Sequence, residues 1–339
     1  MDLIVATPQG LYCPPGDFYI DPWRPVARAL ITHGHSDHAR FGSQNYLCHV
    51  DCAPILRRRL GDVSIETLRY GERIEINGVT VSLHPAGHVL GSAQARLERA
   101  GEVWVASGDY KTEDDGVVAP FEPVPCHVFI TEATFGLPIY RWRPQAEIVE
   151  EANGWWRANA AARRASVIYA YGLGKAQRLL ATLDPSIGPI FCHGAIEPMN
   201  EIYRAQGVRL PPTQRVSEAY GKDAFAQALV IAPPSAATSP WMKRFGDYSD
   251  AFASGWMQIR GNRRRRGVDR GFALSDHADW PGLLQAILAT GAERVYATHG
   301  ASGALTRYLR ESGVDARGLH TEYGEEEAES GAAESEAAS

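Results

Sequence analysis

The hydrophobic and polar positions of the chain follow two successive patterns. Over the first 135 residues, short apolar runs such as VTVSLHPA and EVWVASGDY end at polar residues, which predicts short β-strands joined by turns. Beyond them, helix-like stretches such as AEIVEEANGWWRANAAARR and GKAQRLLATL alternate with apolar runs such as ASVIYAY, GPIFCHG and QALVIAPP. Because parallel strands joined by helices give this alternation, the pattern predicts an α/β protein.

The composition is that of a globular protein. The chain has 339 residues, of which 45% are hydrophobic and 22% charged, enough to bury a large core. It contains no apolar run of eighteen residues and no basic start followed by a long apolar stretch, so we expect neither a membrane span nor an export signal. The five cysteines lack CxxC spacing, which favours reduced thiols and a cytoplasmic location.

Charge is distributed unevenly along the chain. Residues 141–270 carry 19 Lys and Arg against 11 Asp and Glu, whereas the rest carries 15 against 29. A basic middle suggests a polyanionic partner such as nucleic acid, although an arginine-rich solvated face would look the same. The acidic, low-complexity tail (residues 325–339) is predicted to be disordered.

Histidines and aspartates collect where apolar runs end. The segment ALITHGHSDHAR places His33, His35, Asp37 and His38 within six positions, and further examples follow other runs: His88, Asp109, His277 and His299. Strand ends on one edge of a sheet converge, so these residues can share one site. Imidazoles and carboxylates without thiolates suit zinc, manganese or iron(II). The alternatives are a chance surface cluster or a single structural metal.

The spacing within the first motif allows two ions. His33 and His35 point the same way along the segment, whereas Asp37 and His38 come round the next turn. One segment can therefore serve two neighbouring metals. Asp109, after a strand and Gly108, is a candidate bridging carboxylate, although an aspartate in such a turn is often only a turn residue.

Taken together, these motifs resemble the metallo-β-lactamase-fold nucleases of the β-CASP group. The motif around His33, His88 in PAGHVLGSAQ and Asp109 in SGDY match that superfamily, while Glu132 in TEATFG, His277 in SDHAD and His299 in THG resemble its motifs A, B and C. The segments PQGLYCPPGDFYIDPWRPV, TFGLPIYRW, YGLGKAQR and SGWM…RGFALSDHADW resemble the bacterial ligase-associated DNA exonucleases, which are also labelled mRNA 3′-end processing factors.

The resemblance implies a fold and a domain order. It predicts an α/β fold, a metallo-β-lactamase αββα sandwich with an inserted β-CASP α/β cap. The first part of the sandwich would span residues 1–144, the cap 145–255 and the second part 256–324, before the tail at 325–339.

The resemblance also implies a set of metal ligands for two divalent ions, Zn²⁺ and/or Mn²⁺. His33, His35 and His88 would hold one ion, and Asp37, His38 and His299 the other, with Asp109 between them. Asp21 would orient a ligand histidine from outside the metal shell. A plain turn residue before Pro22 is the equal alternative for Asp21.

The implied mechanism is phosphodiester hydrolysis by a two-metal-activated water, with Asp37, Glu132 and His277 as the catalytic residues. His277 would donate a proton to the leaving oxygen, and Glu132 would orient it and raise its pKa. The alternative for His277 is a structural role at a helix N-terminus.

Nucleic-acid contacts are expected mainly from the basic middle. Lys175 and Arg178 open a predicted helix after a Gly-rich turn and form a candidate phosphate cradle, unless they are ordinary surface residues. Hydroxyl donors are expected from PSAATSPWM, and cations from the run of arginines at 263–266 in a strand or loop: Ser235, Thr238, Ser239, Arg264 and Arg266. Trp241 and Trp256 could stack on bases, but core positions are the stronger expectation for them.

The leading hypothesis is a metal-dependent DNA exonuclease, acting on single-stranded DNA in the 5′→3′ direction. It would act in DNA repair, in functional association with an ATP-dependent DNA ligase and a helicase. The first alternative is a ribonuclease of the same fold. A non-catalytic nucleic-acid-binding module is disfavoured because every expected ligand is present, and a small-molecule hydrolase of this fold would lack the insert and the TEATFG…SDHAD…THG series.

Overall fold

The N-terminal region forms a sheet of short strands, as its pattern predicts. In the computed structural model, which describes residues 2–322, this six-stranded sheet keeps the order of the chain. Its strands are β1 (Val5–Thr7), β2 (Gly10–Cys13), β3 (Phe18–Ile20), β4 (Arg28–Leu30), β5 (Asn45–His49) and β6 (Ser64–Leu68). The pairs β1–β2 and β2–β3 are antiparallel, and the rest are parallel. Helix α1 (Ala53–Leu60) packs Leu56 and Leu60 against Tyr46 of β5.

A second sheet packs against the first. Its first five strands are β7 (Arg73–Ile76), β8 (Val79–Pro85), β9 (Ala93–Arg99), β10 (Glu102–Ala106) and β11 (Val128–Glu132). Strands β7 to β10 form an antiparallel meander, and β11 joins β10 in parallel. Val81 and Leu83 of β8 share one apolar cluster with Phe18 and Ile20 of the first sheet. The two sheets therefore bury a common core.

Residues Trp142–Asp276 form a separate compact unit, here called the middle unit. Its six strands are all parallel, in the order β14-β13-β15-β12-β16-β17. In chain order its elements are α2 (Gln145–Ala161), β12 (Ala165–Tyr169), α3 (Lys175–Thr182), β13 (Ile190–Cys192), α4 (Glu197–Ala205), β14 (Gln214–Arg215), β15 (Leu229–Ala232), β16 (Tyr248–Ala253), α5 (Arg260–Arg266) and β17 (Arg270–Phe272). Strands β12 and β15 are buried throughout, as expected for a parallel sheet covered on both faces.

Four short 3₁₀ helices complete the middle unit. They span Lys222–Phe225, Pro234–Ala236, Pro240–Phe245 and Gly255–Gln258. Two of them follow β15, and so they lie beyond the carboxyl end of a central strand.

From His277 onward the chain returns to the first unit. It adds α6 (Trp280–Thr290), β18 (Arg294–Thr298), α7 (Ser302–Glu311) and β19 (Asp315–Gly318). Strand β18 pairs with β11, and β19 forms the edge of the second sheet. Helix α6 begins at Asp279, whose carboxylate accepts the Gly282 N–H at 2.8 Å, and ends at Gly291 in the left-handed region.

Three features of the structure bear on the sequence predictions. The middle unit runs to Asp276 and includes β17, which pairs with β16, while the predicted division into sandwich and cap at residue 255 stays a prediction. The prediction of a strand or loop for the arginine run is wrong, since residues 260–266 form α5, which ends at left-handed Gly267. Strand β17 ends at Phe272, so His277 lies in the loop before α6. The predicted tail, 325–339, lies outside the described residues.

No helix in the described part of the chain is long and apolar enough to cross a membrane.

The loop between β8 and β9 depends on a glycine. Gly91 has a φ of +71°, and a Cβ there would lie 2.3 Å from the backbone nitrogen of Cys52 at the start of α1. We expect Gly91→Ala to lower the free energy of unfolding by more than about 2 kcal/mol, combining backbone strain with a clash against main chain. Gly101→Ala is the matched control, because Gly101 has a φ of +84° but nothing within 4 Å of its Cβ position. Urea unfolding should rank the two variants in that order, and equal losses would contradict the packing argument.

Candidate metal centre

The loops that follow four strands of the first unit bring the predicted metal ligands together. The His33–His38 segment follows β4, His88 follows β8, Asp109 follows β10 and His299 follows β18. One ligand atom from each of His33, His35, His88 and Asp109 lies within 4.8 Å of all the others. Asp37 and His38 form a second such group with His33. Residues that are far apart in sequence therefore share one site.

The first group has the spacing of a metal shell. His35 Nδ1 lies 3.1 Å from both His33 Nε2 and His88 Nε2. The Asp109 carboxylate is 3.5 Å from His33 Nε2 and 3.8 Å from His88 Nε2. Ligand atoms at about 2.0–2.1 Å from a tetrahedral zinc ion are roughly 3.3 Å apart. The observed separations match that value, so these four side chains fit a divalent ion.

The second group surrounds His38. Its Nε2 lies 3.5 Å from the Asp109 carboxylate and 3.7 Å from that of Asp37. The same buried nitrogen makes no hydrogen bond within the described residues. The ring stacks on His299 at a centroid distance of 5.2 Å, and His299 Nδ1 is held by the Thr298 hydroxyl at 2.9 Å. An unsatisfied buried imidazole nitrogen facing carboxylates is what a metal ligand requires.

For Asp109 and His38, burial and the neighbouring charges shift the pKa in opposite directions. Burial alone would raise the pKa of Asp109, but the adjacent His38 and His33 hold it well below its usual range. Burial also lowers the pKa of His33 well below its ordinary value, which favours the neutral, ligating form. For His38, burial acts downward, but Asp109, Asp37 and Asp21 outweigh it and raise the pKa well above the usual value. His38 is therefore the ligand that must lose a proton when a cation binds.

Asp21 contacts His38 at Nδ1, the ring nitrogen that does not face Asp109. Its carboxylate lies 2.7 Å from His38 Nδ1 and accepts both the backbone N–H of Thr32 at 2.8 Å and the Thr32 hydroxyl at 2.5 Å. Its φ of +43° is unusual for an aspartate and places the carboxylate under the histidine loop. This contact is the geometry that the orienting role requires, and that role stays a prediction.

His277 and Glu132 form a pair beside the first group. His277 Nδ1 lies 3.0 and 3.2 Å from the two carboxylate oxygens of Glu132, which also accepts the Tyr110 N–H at 2.7 Å. The His277 ring lies 4.5 Å from that of His88, centroid to centroid. Nδ1 is thus the ring nitrogen of His277 that faces the carboxylate. The role of Glu132 in orienting His277 requires such a contact and stays a prediction.

The expected phosphate cradle is not an exposed one. Lys175 and Arg178 do lie in the first turns of α3, but both side chains are buried. The Lys175 ammonium pairs with Asp276 at 2.9 Å and lies over the Tyr171 ring. Lys175 and Arg178 are therefore not surface cations. The sequence pattern could not reveal this, because it indicates position along a helix but not burial by residues distant in the chain.

The other predicted nucleic-acid residues lie at the surface. Ser235 and Thr238 are exposed, whereas Ser239 is half-buried and donates its hydroxyl to the Ala236 carbonyl at 2.9 Å. Arg264 and Arg266 are exposed on α5, and the Arg266 guanidinium lies over the Phe252 ring. Their role in binding nucleic acid stays a prediction.

Two residues of the site were missed from the sequence. The Thr32 hydroxyl lies between Asp21 and His33 Nδ1, at 3.1 Å from the latter. The Ser92 hydroxyl accepts the backbone N–H groups of His88 and Val89 and so fixes the His88 loop. Both neighbour a ligand motif, in LITHGH and GHVLGS, and a search for hydroxyl residues beside ligands would have found them.

Comparisons with known proteins identify relatives of this chain. No protein-family model matches the chain. A protein named "Probable DNA ligase" from Opitutus terrae is 32% identical over 312 residues, which is 91% of this chain and 30% of that protein. Two further relatives are 34% identical over 35% of this chain and 16% of their own length: "Cleavage and polyadenylation specificity factor subunit 3" of Dictyostelium discoideum and "Endoribonuclease YSH1" of Candida glabrata. The chain thus spans less than a third of the length of each.

A solved structure supports the fold alone. A protein of unknown function from Enterococcus faecalis V583 superposes with a TM-score of 0.56 over 80% of this chain and 74% of its own, at 11% sequence identity. Fold and site together define an α/β protein with a candidate metal centre of imidazoles and carboxylates. The sequence relatives narrow this class and confirm the resemblance seen in the motifs: the chain is a homologue of the metallo-β-lactamase-fold β-CASP nucleases.

Asp109 contacts both ligand groups, so its loss should affect metal binding most. We expect Asp109→Ala to weaken zinc binding by more than about 100-fold, since even residues outside the ligand shell are worth about 10–100-fold. Asp62→Ala, at an exposed position away from the cluster, is the control and should bind as the unaltered protein does. Competition with a chromogenic chelator would measure both affinities. Unchanged affinity in Asp109→Ala would remove Asp109 from the metal centre.

Proposed function

We propose that this protein is a metal-dependent nuclease that hydrolyses phosphodiester bonds. The observation that carries the proposal is the convergence of His33, His35, His88 and Asp109, with Asp37 and His38 beside them, on one buried site. An αββα sandwich for the first unit is supported by two sheets with a common core, with α1 on the first sheet and α6 and α7 on the second. The middle unit would then be the inserted cap.

The donor set fits two divalent ions, Zn²⁺ and/or Mn²⁺. His33, His35 and His88 would hold one, Asp37, His38 and His299 the other, and Asp109 would contact both. Such ions, when bound, lower the pKa of a water and offset the charge of the phosphoryl oxygens. Asp21 keeps the His38 Nδ1 proton in place, which leaves His38 Nε2 directed at the metal position.

His277 and Glu132 supply proton transfer. The carboxylate holds the proton of His277 on Nδ1 and fixes the ring plane. The other ring nitrogen, Nε2, would donate a proton to the oxygen that leaves the phosphorus atom. Because Tyr110 N–H restrains the same carboxylate, the pair is positioned before substrate arrives.

DNA is the favoured substrate, with single-stranded DNA and 5′→3′ exonuclease action as the specific proposal. The support is the similarity over 91% of the chain to a protein named as a probable DNA ligase. The name of that relative also supports functional association with an ATP-dependent DNA ligase. A place in DNA repair and an association with a helicase are proposed from the resemblance of the motifs alone. The cytoplasmic location expected from the cysteines agrees with their being free and buried in the structure.

A ribonuclease is the second candidate. It is supported by the similarity of about a third of the chain to a protein named as an endoribonuclease. The ligand set serves either polymer, because the phosphodiester group is the same in both.

Single-stranded DNA and RNA of one sequence, labelled at the 5′ or the 3′ end and incubated with Zn²⁺ or Mn²⁺, test the proposal. We expect cleavage that requires added metal, a preference for DNA, and mononucleotide release from the 5′ end. A preference for RNA would establish the second candidate instead. No cleavage of either polymer with any divalent metal would contradict a nuclease.

The same assay tests the proton donor. His277→Ala should retain metal yet lose about 10²–10⁴-fold in turnover, the usual contribution of general acid catalysis. His127→Gln, which alters an exposed histidine of the same unit, is the control. Turnover of His277→Ala close to that of the unaltered protein would show that His277 is not the acid.

A further inference from the structure

The carboxyl edge of the middle unit's sheet carries a group of polar side chains apart from the metal ligands. His193 directly follows β13, and Arg215 is the last residue of the neighbouring strand β14. Trp241 lies in the 3₁₀ helix Pro240–Phe245, beyond β15 on the other side of β13. Ligands of open parallel sheets bind at this edge, beyond the carboxyl ends of the strands.

His193 contacts Trp241, and Arg215 lies against Gly194, the residue after His193. The rings of His193 and Trp241 meet edge to face, with centroids 4.8 Å apart. The Arg215 guanidinium lies on Gly194, where a Cβ would come within 2.9 Å of its Nη2 atom. A larger residue at position 194 would displace the guanidinium, so this glycine permits the arginine to lie beside His193.

Two hydrogen-bond donors of this group are available to a ligand. His193 Nδ1 accepts the backbone N–H of Ala195 at 3.1 Å, which places the proton of the neutral ring on Nε2. Burial and the charge of Arg215 lower the pKa of His193, so the ring is neutral at pH 7 and donates through Nε2. In the part of the chain that the structure describes, neither Nε2 nor the Arg215 guanidinium has a hydrogen-bond or ion-pair partner.

A nearby arginine shows how a structural guanidinium is accommodated in this unit. Arg204 pairs with Glu197 at 3.1 Å and also donates to the Thr213 hydroxyl and the Pro211 carbonyl. Among residues 2–322, Arg215, the last residue of β14, has no such acceptor. The contrast favours an external anion as the partner of Arg215.

We propose that Arg215 and His193 form a binding site for a phosphate group of a nucleic-acid strand, flanked by the aromatic side chain of Trp241. A guanidinium and an imidazole N–H suit phosphate oxygens, and arginine binds them in a bidentate manner. A half-buried tryptophan provides an apolar wall for the adjoining sugar or base. The proposal rests on the proposed nuclease function and extends it to a phosphate contact built entirely within the middle unit.

Equilibrium binding without cleavage tests the site. The full chain in EDTA is titrated against a fluorescein-labelled single-stranded 12-mer, as DNA and as RNA, at several salt concentrations. Arg215→Gln should raise Kd about tenfold and should lower the slope of log K against log salt by about 0.7, the share of one phosphate contact. A merely structural role would not change the salt slope in this way.

Arg163→Gln is the matched control. Arg163 is exposed, as Arg215 is, and its substitution removes the same single positive charge. It precedes β12, however, and so lies at the amino edge of the sheet, opposite the proposed site. We expect its Kd to stay within about twofold of that of the unaltered protein. His193→Phe retains a ring and removes the donor, and its Kd should rise about threefold to tenfold. It serves as the second test should Arg215→Gln lose thermal stability.

Oligonucleotides with and without a 5′- or 3′-phosphate distinguish the source of the phosphate. If Arg215→Gln loses affinity only for the phosphorylated strands, the site binds a terminal phosphate. If it loses affinity equally for strands with and without that phosphate, the site binds an internal phosphodiester. If Arg215→Gln and His193→Phe match the unaltered protein in affinity and salt slope, the site is refuted while the nuclease proposal stands. If the unaltered protein binds neither polymer in EDTA, the site is likewise refuted, and the nuclease proposal is decided by the cleavage assay.

Discussion

The structure of the first unit depends on burying several imidazole nitrogens around one carboxylate. His33, His38 and His88 direct ring nitrogens to within 3.5–3.8 Å of Asp109, in a region where the exposure of each side chain is at most 8%. Without a cation, this arrangement crowds ring nitrogens around one carboxylate and leaves His38 Nε2 without a hydrogen bond among the described residues. Burying such polar groups costs several kcal/mol unless a partner offsets it, and a divalent ion is the partner that these ligands suit.

The rest of the unit holds this arrangement in place. Strands β4, β8, β10 and β18 deliver the ligands at their ends, and left-handed backbone at Asp21 and His299 turns the side chains inward. Such backbone costs about 1–3 kcal/mol and persists where the surroundings impose it. At Asp21 the compensation is visible, because its carboxylate accepts two hydrogen bonds from Thr32 and contacts His38.

The sequence predicted the grouping of the candidate metal ligands better than it predicted the surroundings of the basic side chains. Ligand spacing in HGHSDH is local, and strand ends converge by a general rule, so His33, Asp109 and their partners could be grouped without coordinates. Burial of Lys175 depends on Asp276, which lies about a hundred residues away along the chain, and no periodicity reports that contact. The same holds for His193 and Arg215. These two residues are brought together by the order of the strands, which places β13 beside β14 and which the sequence pattern does not indicate.

The most direct test of the central claim is anomalous X-ray diffraction from crystals soaked in zinc or manganese. The account predicts two anomalous peaks about 3.5–4 Å apart. One would be bound by His33, His35 and His88, the other by Asp37, His38 and His299, and both would be in contact with Asp109. A single peak, or peaks only at other residues, would contradict it.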